Sequence, residues 1–337
     1  MKLATLKDRT RDGELVVVSR DLTRYVSARP IASTLQAALD DWEHTAPRLQ
    51  MLAEQLEIGS VPSSRFHEHD AMSPLPRAYQ RVETVTDLHH LDLLRKASGS
   101  AMPEPLRSEP ILVQSRSDGF IGPRDPIVCS STEWDIDLQG KIAIITADVP
   151  MGADEGVATG AIRLVLVENG IFFRSPAPAG SSHSDDVRVS TPMAAFSPVA
   201  VTPDELVDGW DGGRVSLTMK VSVNGKLLGK LKSGTGMAVG FPALIAHLAK
   251  TRSLVAGSII ASGAVSNKGS DSGSGKPLAE GGSGYATLAE QRAVETLHSG
   301  APVTPYLKIG DIIRIEVCDS RGHSIFGAIE QTVTLMG

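Results

Sequence analysis

Residue types that commonly carry chemistry are few in this sequence, and most of them stand in ordinary surroundings. Residues 67–70 (His-Glu-His-Asp) have the side chains of a metal site, but they lie in a polar stretch, which favours a solvated loop. Cys129 and Cys318 each adjoin a β-branched run, which favours small buried side chains over a disulfide or a nucleophile. His247 falls on a predicted helix, where partial burial is its more common role. Taken one at a time, these residues do not indicate a reaction.

The N-terminal part predicts a small module built from a hairpin and helices. Residues 2–18 contain two apolar runs around a turn, which indicates a β-hairpin. Apolar residues then recur every three or four positions from 35 to 56, which predicts a buried helical face. Pro47 interrupts this face. Because proline is tolerated in the first turn of a helix, we expect a second helix to begin near Thr45.

A connector and a mainly β domain follow the module. Residues 59–108 are rich in Pro, His and Ser and predict a linker over the surface. From residue 111, apolar or alternating runs indicate strands, and residues 224–225 (Asn-Gly) predict a tight hairpin. We therefore expect a fold that is mainly β with some α. Its N-terminal α+β module would span residues 1–108 and its C-terminal domain residues 109–337.

One low-complexity segment lies within the second part. Residues 268–284 consist mostly of Gly and Ser and offer little apolar surface to bury. Such a composition cannot offset the entropy lost when a chain is ordered. We predict that this segment is either a mobile lid or a disordered insert.

Composition limits the partners and the compartment. The 33 Lys and Arg residues against 39 Asp and Glu give a net charge of −6. Nucleic acids and anionic membranes both attract clustered positive charge, so we expect neither as a partner. No run approaches the roughly 20 apolar residues that cross a bilayer, and the first residues become charged before a signal-peptide core forms. These features predict a cytoplasmic protein.

Several short segments follow one another across residues 109–337. They are SDGFIGPRDPI (117–127), DVPMG (148–152), AFSPVAVTPDEL (195–206), FP and LIAH (241–247), SG and VSN (262–267), and SIFGAI (324–329). Together, and in this order, they resemble the bacterial branch of the fumarylacetoacetate hydrolase superfamily. The resemblance implies a twisted mixed β-sandwich or roll and a homodimer.

Members of this superfamily typically bind Mg²⁺, Mn²⁺ or Ca²⁺ through hard oxygen ligands. The metal holds a 1,3-dicarbonyl or 2-oxo acid and stabilises the enolate that forms during C–C cleavage or decarboxylation. The usual ligands are an early Asp, a Glu-x-Glu pair and a later Asp. Residues two apart on a strand point the same way, so the Glu pair presents both carboxylates to one face. The resemblance therefore implies a small-molecule substrate.

Few hard ligands remain at the corresponding positions of this chain. The resemblance places the early Asp on Asp118 and the Glu-x-Glu pair on Gln139 and Lys141. The later Asp falls on Asn169, or on Glu168 if the alignment shifts by one residue. Because divalent ions need several carboxylate or carbonyl oxygens, we predict that the protein binds no metal cofactor.

The same alignment gives the expected substrate contacts. Thr191 stands where members have an active-site Lys, and Ala264 replaces the Thr of a Gly-Thr pair that contacts the substrate. The full predicted set is Asp118, Phe120, Gln139, Asn169, Thr191 and Ala264.

Lys141 brings a positive charge to the place where the superfamily holds a cation. One hypothesis is that its ammonium replaces the metal electrostatically, pairs with Asp118 and attracts an anionic or enolised substrate. The alternative is that Lys141 points into a vacated pocket or extends to solvent.

Two carboxylates are further catalytic candidates. Asp125 lies in the loop where related enzymes place an acid–base dyad, and Glu290 lies where some members have a partner carboxylate. If the two approached each other in an enclosed site, the pKa of one would rise and it could act as a general base. The alternative is that Asp125 anchors its own turn and Glu290 caps a helix.

Two classes of function remain open. The first is an enzyme that acts on a dicarbonyl, enol or 2-oxo compound without metal, by decarboxylation, isomerisation, dehydration or cyclisation. The second is an inactive relative that serves as a binding or scaffold protein. An ordinary metal-dependent C–C hydrolase comes third, because both water activation and enolate binding would lack their metal.

Overall fold

Two mixed β-sheets with helices against them make up the structure, a computed structural model that describes residues 1–102, 109–131, 133–175, 190–269 and 275–337. The strands are β1 (Lys2–Leu6), β2 (Glu14–Val18), β3 (Arg24–Ser27), β4 (Ser64–Arg65), β5 (Arg81–Val85), β6 (Ile111–Ser115), β7 (Ile127–Cys129), β8 (Ile136–Asp137), β9 (Gly140–Thr146), β10 (Ile162–Phe173), β11 (Met193–Phe196), β12 (Ala200–Val201), β13 (Thr218–Val223), β14 (Lys226–Lys232), β15 (Ile259–Ala261), β16 (Ile312–Cys318) and β17 (Ser324–Leu335).

The helices pack beside these sheets, and no described helix is long and apolar enough to cross a membrane. The α-helices are α1 (Leu35–Asp40), α2 (Trp42–Glu57), α3 (Leu88–Ala97), α4 (Glu155–Gly160), α5 (Phe241–Ala249) and α6 (Leu288–Ser299), and short 3₁₀ helices cover Glu68–Asp70, Pro203–Gly209 and Leu278–Glu280.

The larger sheet carries the core on both of its faces. Within the described ranges it has twelve strands, in the order β4-β3-β2-β1-β12-β10-β9-β15-β5-β6, with β8 and β11 attached to β10. The smaller sheet has the order β14-β13-β16-β17-β7. Most neighbours are antiparallel, whereas β15 with β5 and β17 with β7 are parallel. This is the mixed, mainly β fold with some α that the sequence predicts.

Local predictions are confirmed where a short pattern determines the backbone. β1 and β2 form the expected hairpin, and β13 and β14 are joined by Asn224 and Gly225, whose φ values of 51° and 74° suit a tight turn. Both cysteines are buried, and neither forms a disulfide. The second helix begins at Trp42, three residues earlier than predicted, so Pro47 lies beyond its first turn.

The predicted surface connector over residues 59–108 is wrong in its second half. β5 pairs in parallel with β15 and antiparallel with β6, so it is an internal strand of the larger sheet. α3 follows it directly. The connector was predicted from the Pro, His and Ser content of the whole stretch, which does not reveal a short strand whose charged residues, Arg81 and Glu83, are paired inside the protein.

The Gly/Ser-rich segment is only partly covered by the structure, since residues 270–274 lie outside the described residues. The part from 275 to 284 is packed against β14. Gly284 pairs with Gly229 on that strand, and its N–H donates to the Lys276 carbonyl over 3.1 Å. The prediction of a disordered insert is therefore wrong for 275–284, because backbone hydrogen bonds hold this stretch against β14, and the alternative of a mobile lid stays a prediction.

Asp137 joins α6 to the sheet. Its carboxylate, fully buried on β8, accepts hydrogen bonds from the N–H groups of Leu288 and Ala289 over 2.8 and 3.2 Å, and from Arg174 over 2.8 Å. A carboxylate suits the first turn of a helix because free N–H groups and the helix dipole converge there. This contact fixes the position of Glu290, one residue further along α6.

We expect Asp137→Ala to lower the free energy of unfolding by about 3 kcal/mol, because it leaves a buried helix terminus and Arg174 without their partner. Urea denaturation would measure this loss, with Glu133→Gln, which changes an exposed carboxylate nearby, as the control. Equal unfolding midpoints for the two variants would show that Asp137 does not anchor α6.

Candidate active site

Four buried or largely buried charged side chains meet on one face of the larger sheet. Lys141 on β9 and Glu168 on β10 are direct cross-strand neighbours, and Arg81 and Glu83 lie two residues apart on β5. Arg81 contacts Glu83 and Glu168, both at 2.5 Å. The Lys141 Nζ lies 2.9 Å from Glu83 and 3.4 Å from Glu168. We call these four residues the ion quartet.

Small residues on the sheet allow the quartet to form. Ala261 on β15 is the register partner of both Glu83 and Ala143, so all three share a face with Lys141. Long side chains from β5 and β9 can therefore meet above alanine. Gly170 has the same role on β10, because a Cβ there would overlap the Lys141 Nζ and Cε atoms.

The charges of the quartet balance, with two cations against two carboxylates. Burial alone would raise the pKa of Glu83, but Lys141 and Arg81 outweigh it and hold the pKa well below its usual value. Because a buried charge that loses its partner is strongly destabilising, each member constrains the other three.

A cavity of about 130 Å³ opens beside the quartet. Since a molecule of liquid water takes up about 30 Å³, a small organic acid is the size of ligand that it suits. Lys141 and Glu83 form part of the wall, and the other lining residues come from β5, β6, β10, the start of α3 and the loops around them. They are Thr84, Val85, Asp87, His90, Val113, Ser115, Gln139, Phe172, Thr191, Gly263 and Ala264.

His90 and Glu290 form a hydrogen-bonded pair at this cavity. His90 is on α3 and lines the wall, and its Nδ1 lies 2.7 Å from Oε2 of Glu290. The other carboxylate oxygen accepts a hydrogen bond from the Ser266 hydroxyl over 2.7 Å. Thr287 caps α6 by accepting from the Glu290 N–H. With Nδ1 held, Nε2 is the ring nitrogen left for a molecule in the cavity.

The predicted pair between Lys141 and Asp118 does not form. Asp118 is exposed and pairs with Arg116 over 2.7 Å, which lowers the pKa of its carboxyl. Glu83, from the segment interpreted as a connector, takes the place beside Lys141. Glu168, the residue reached when the alignment shifts by one, supplies the second carboxylate. Asn169 lies on the opposite face of β10, and its side-chain amide donates to Gln331 over 3.1 Å.

The other predicted site residues divide into two groups. Gln139, Lys141, Thr191 and Ala264 do come together around the cavity. Phe120 instead packs edge-on against Phe196, with 4.9 Å between ring centroids.

Asp125 and Glu290 do not form the predicted dyad. Asp125 pairs with Lys7 at 2.8 Å and accepts from the Gly122 N–H over 2.7 Å, so it anchors its own turn. His90 takes its place as the partner of Glu290.

Glu83 and Asp87 are absent from the predicted site, and His89-His90 was interpreted as part of a solvated loop. A usable signal was present, because the stretch 81–84 alternates charged and β-branched residues before the helical pattern of α3. The alternation indicates a strand whose charged face needs partners, and those partners lie far away in sequence.

The donor set does not fit a divalent cation. Lys141 and Arg81 already neutralise both carboxylates of the quartet, and their positive charges would repel a metal ion. Within the described ranges, no group of three or more His, Cys, Asp or Glu side chains could hold one. The chemistry of this site must therefore be derived from its own side chains.

Comparison with known proteins identifies the family. Residues 1–77 match the family model for the fumarylacetoacetase N-terminal domain 2, and residues 81–334 match the model for the C-terminal domain of fumarylacetoacetate hydrolase. The chain belongs to the fumarylacetoacetate hydrolase family. The junction of the two matches falls just before β5, so this family's C-terminal domain includes β5 and α3. No curated protein sequence matches the chain significantly.

Solved structures share the fold over the full length. A maleylpyruvate hydrolase from Sphingobium sp. SYK-6 has 16% identity and a TM-score of 0.63, with 100% of both chains covered. A 5-carboxymethyl-2-hydroxymuconate delta-isomerase from Mycobacterium smegmatis has 14% identity and a TM-score of 0.59, also with 100% of both chains covered. A 2-hydroxyhepta-2,4-diene-1,7-dioate isomerase from Mycobacterium marinum has 13% identity and a TM-score of 0.59, covering 100% of this chain and 99% of that one. At these identities the likeness shows the fold alone.

We expect Lys141→Met to lower the free energy of unfolding by about 3 kcal/mol at pH 7, because it removes one cation from a buried, balanced set. The pKa of Glu83 is lowered in the folded protein, so ionised Glu83 stabilises the fold at pH values above its ordinary pKa of 4.5. This stabilisation is lost as the pH falls through the lowered pKa. The deficit should therefore shrink in acid. Urea denaturation at pH 7 and pH 3 would measure it, since pH 3 lies between the ordinary and the lowered pKa of Glu83.

The exposed Lys226→Met is the matched control. The double variant Lys141→Met with Glu83→Gln should regain at least half of the lost stability, because it restores the charge balance. A single Lys141→Met variant as stable as the parent protein would show that the quartet does not hold these strands together.

Proposed function

We propose that this protein catalyses proton transfer on a small 2-oxo acid or its enol, an isomerisation that needs no metal. The observation that carries the proposal is the His90–Glu290 pair, which stands at the wall of a small cavity next to a fixed ammonium. A base and a cation side by side are what enolisation requires.

His90 would act as the base. Glu290 orients the imidazole through Nδ1 and stabilises the imidazolium that forms when Nε2 takes a proton. A proton next to a ketone is acidic only if the resulting negative charge is stabilised. The base therefore needs a partner at the carbonyl oxygen.

Lys141 would be that partner. An ammonium has three N–H donors. One donates to Glu83 over 2.9 Å, and Glu168 forms an ion pair with the same Nζ at 3.4 Å. Lys141 lines the cavity together with Gln139 and Thr191, so a further N–H would be available to an enolate oxygen there. A donor held in place before the reaction stabilises developing charge more effectively than mobile water does.

Isomerisation is favoured over C–C hydrolysis by the same residues. Hydrolysis requires an activated water as well as a stabilised enolate, and the site offers one histidine and no fit for a metal ion that could activate water. Proton transfer needs only a base, an acid and an anion site. Two of the structurally similar proteins are isomerases of 2-hydroxy-diene or 2-hydroxymuconate acids, which is consistent with this class of substrate.

The test is exchange of the C3 protons of pyruvate in D₂O, followed by proton NMR in the presence of EDTA. We expect the protein to accelerate exchange over buffer. His90→Asn should reduce the enzymatic rate by about 100-fold or more, the usual contribution of a general base. His67→Asn, a change at an exposed histidine, is the control and should exchange at the parent rate.

Undiminished exchange in His90→Asn would contradict the assignment of the base. If the parent protein binds oxalate, an analogue of the pyruvate enolate, but exchanges no protons, the binding or scaffold alternative is the better account.

A second prediction concerns metal. The purified protein should contain well under one equivalent of Mg²⁺ or Mn²⁺, and added Mn²⁺ should not accelerate exchange. Changing Gln139 and Lys141 together to Glu should create measurable Mn²⁺ binding, because the new carboxylates would join Glu83 and Glu168 without the ammonium. Stoichiometric metal by elemental analysis of the parent protein, or exchange abolished by EDTA, would contradict the prediction.

A further inference from the structure

Asp87 is a second ionisable group at the same cavity, and no step described above uses it. It immediately precedes α3, is 5% exposed, and lines the cavity together with His90. Its Oδ2 accepts a hydrogen bond from the Ser266 N–H over 2.9 Å. Its Oδ1 is buried and has no partner among the described residues. Since Oδ2 already accepts a hydrogen bond, Oδ1 is the oxygen that would carry a proton on this carboxyl group, at the wall of the cavity that Asp87 lines.

The chain is built closely around this carboxyl group. Gly236 lies against it, and a Cβ at that position would overlap Oδ2 of Asp87 and the carbonyl oxygen of Ser266. Backbone at such close range shields the group from water. Burial raises the pKa of Asp87 to about 7, and the negative charge of Glu290 on α6 adds to the effect, whereas the Ser266 N–H and His90 oppose it. At neutral pH the carboxyl group is therefore protonated in a large share of molecules.

We propose that Asp87 is the acid that returns a proton to the enolised substrate, at a different carbon from the one His90 deprotonates. This proposal rests on the proposed function: an allylic isomerisation removes a proton at one carbon and delivers one at another, and Asp87 gives the site a second group for the delivery. Glu290 cannot serve as the second group, since both of its oxygens are engaged by His90 and Ser266.

The proton inventory of the reaction closes. His90 takes a proton from C3 of a 2-oxo-4-enoate: the C3–H bond breaks, a C2–C3 double bond forms, and the charge on the oxygen at C2 is held by Lys141. Asp87 then gives its proton to C5: a C5–H bond forms, the remaining double bond becomes C3–C4, and the ketone returns. One proton passed from the His90 imidazolium to the Asp87 carboxylate through water restores both groups.

The experiment uses a five-carbon 2-hydroxy-2,4-dienoate, whose two ketonisation products report the two acids separately. Protonation at C5 gives the 2-oxo-3-enoate, and protonation at C3 gives the 2-oxo-4-enoate. We expect Asp87→Asn to form the 3-enoate about 100-fold more slowly than the parent, after subtraction of the buffer rate. The loss in 3-enoate formation should be at least about tenfold larger than any loss in C3 exchange on pyruvate, because only the first reaction uses Asp87 as the acid. Asp92→Asn, which changes a partly exposed carboxylate on the same helix, is the control.

The pH dependence gives a readout that a purely structural role would not move. Parent formation of the 3-enoate should fall as the pH rises through about 7, because Asp87 then loses its proton, and Asp87→Asn should lack this decline. Folding is checked independently. The raised pKa means that Asp87 contributes stability below its ordinary pKa of 3.8 and loses it as the pH rises through about 7. The melting temperature of Asp87→Asn, relative to that of the parent protein, should therefore increase from pH 5 to pH 8.

The outcomes separate the two proposals. If the parent protein forms the 3-enoate in an Asp87-dependent way but exchanges no C3 protons, the role of His90 as the base is contradicted. The role of Asp87 as the acid then still stands. The proposed role of Asp87 is contradicted if a folded Asp87→Asn variant forms the 3-enoate at the parent rate. It is contradicted equally if the variant loses pyruvate exchange to the same extent as 3-enoate formation. It is also overturned if the parent forms the 3-enoate no faster than buffer.

Discussion

A balanced set of four charges inside the larger sheet is the constraint on which the site depends. The four side chains of the ion quartet come from three strands. Each cation contacts both carboxylates, and each carboxylate contacts both cations. Since an unpaired buried charge costs several kcal/mol, a change at one member calls for a change at another. The lysine thereby occupies, permanently and without dissociation, a position between two carboxylates that would otherwise suit a cation.

This fixed cluster separates the site into parts with different tasks. The quartet supplies a charge that stays in place, whereas His90 and Asp87 on the adjoining wall can exchange protons. Asp137 and the Thr287 cap hold the start of α6, and so place Glu290 behind His90. Strand pairing thus positions the Lys141 cation, and helix termini position the His90 base. Both are rigid features of the fold, and the small cavity lies between the two side chains.

The sequence predicted the fold better than the contacts of the site. Motif order across the second part was sufficient to recognise the family, and the alternation of strand residues placed Gln139 and Lys141 on one face. Partners were harder to predict, because they depend on which strands become neighbours. Glu83 reaches Lys141 only because β5 pairs with β15, a contact between segments about 180 residues apart, and no local pattern encodes that pairing. Asp118 was chosen for its residue type, but it pairs at the surface with Arg116, two residues before it.

The central claim is that the Lys141 ammonium, and not a divalent ion, lies between Glu83 and Glu168. A crystal structure of the protein soaked with oxalate and excess Mn²⁺, with diffraction data collected at the manganese absorption edge, would test this claim most directly. We predict no anomalous peak near Glu83 or Glu168, Lys141 in contact with both carboxylates, and oxalate in the cavity beside it. A manganese peak coordinated by those two carboxylates, with the lysine displaced, would contradict the account.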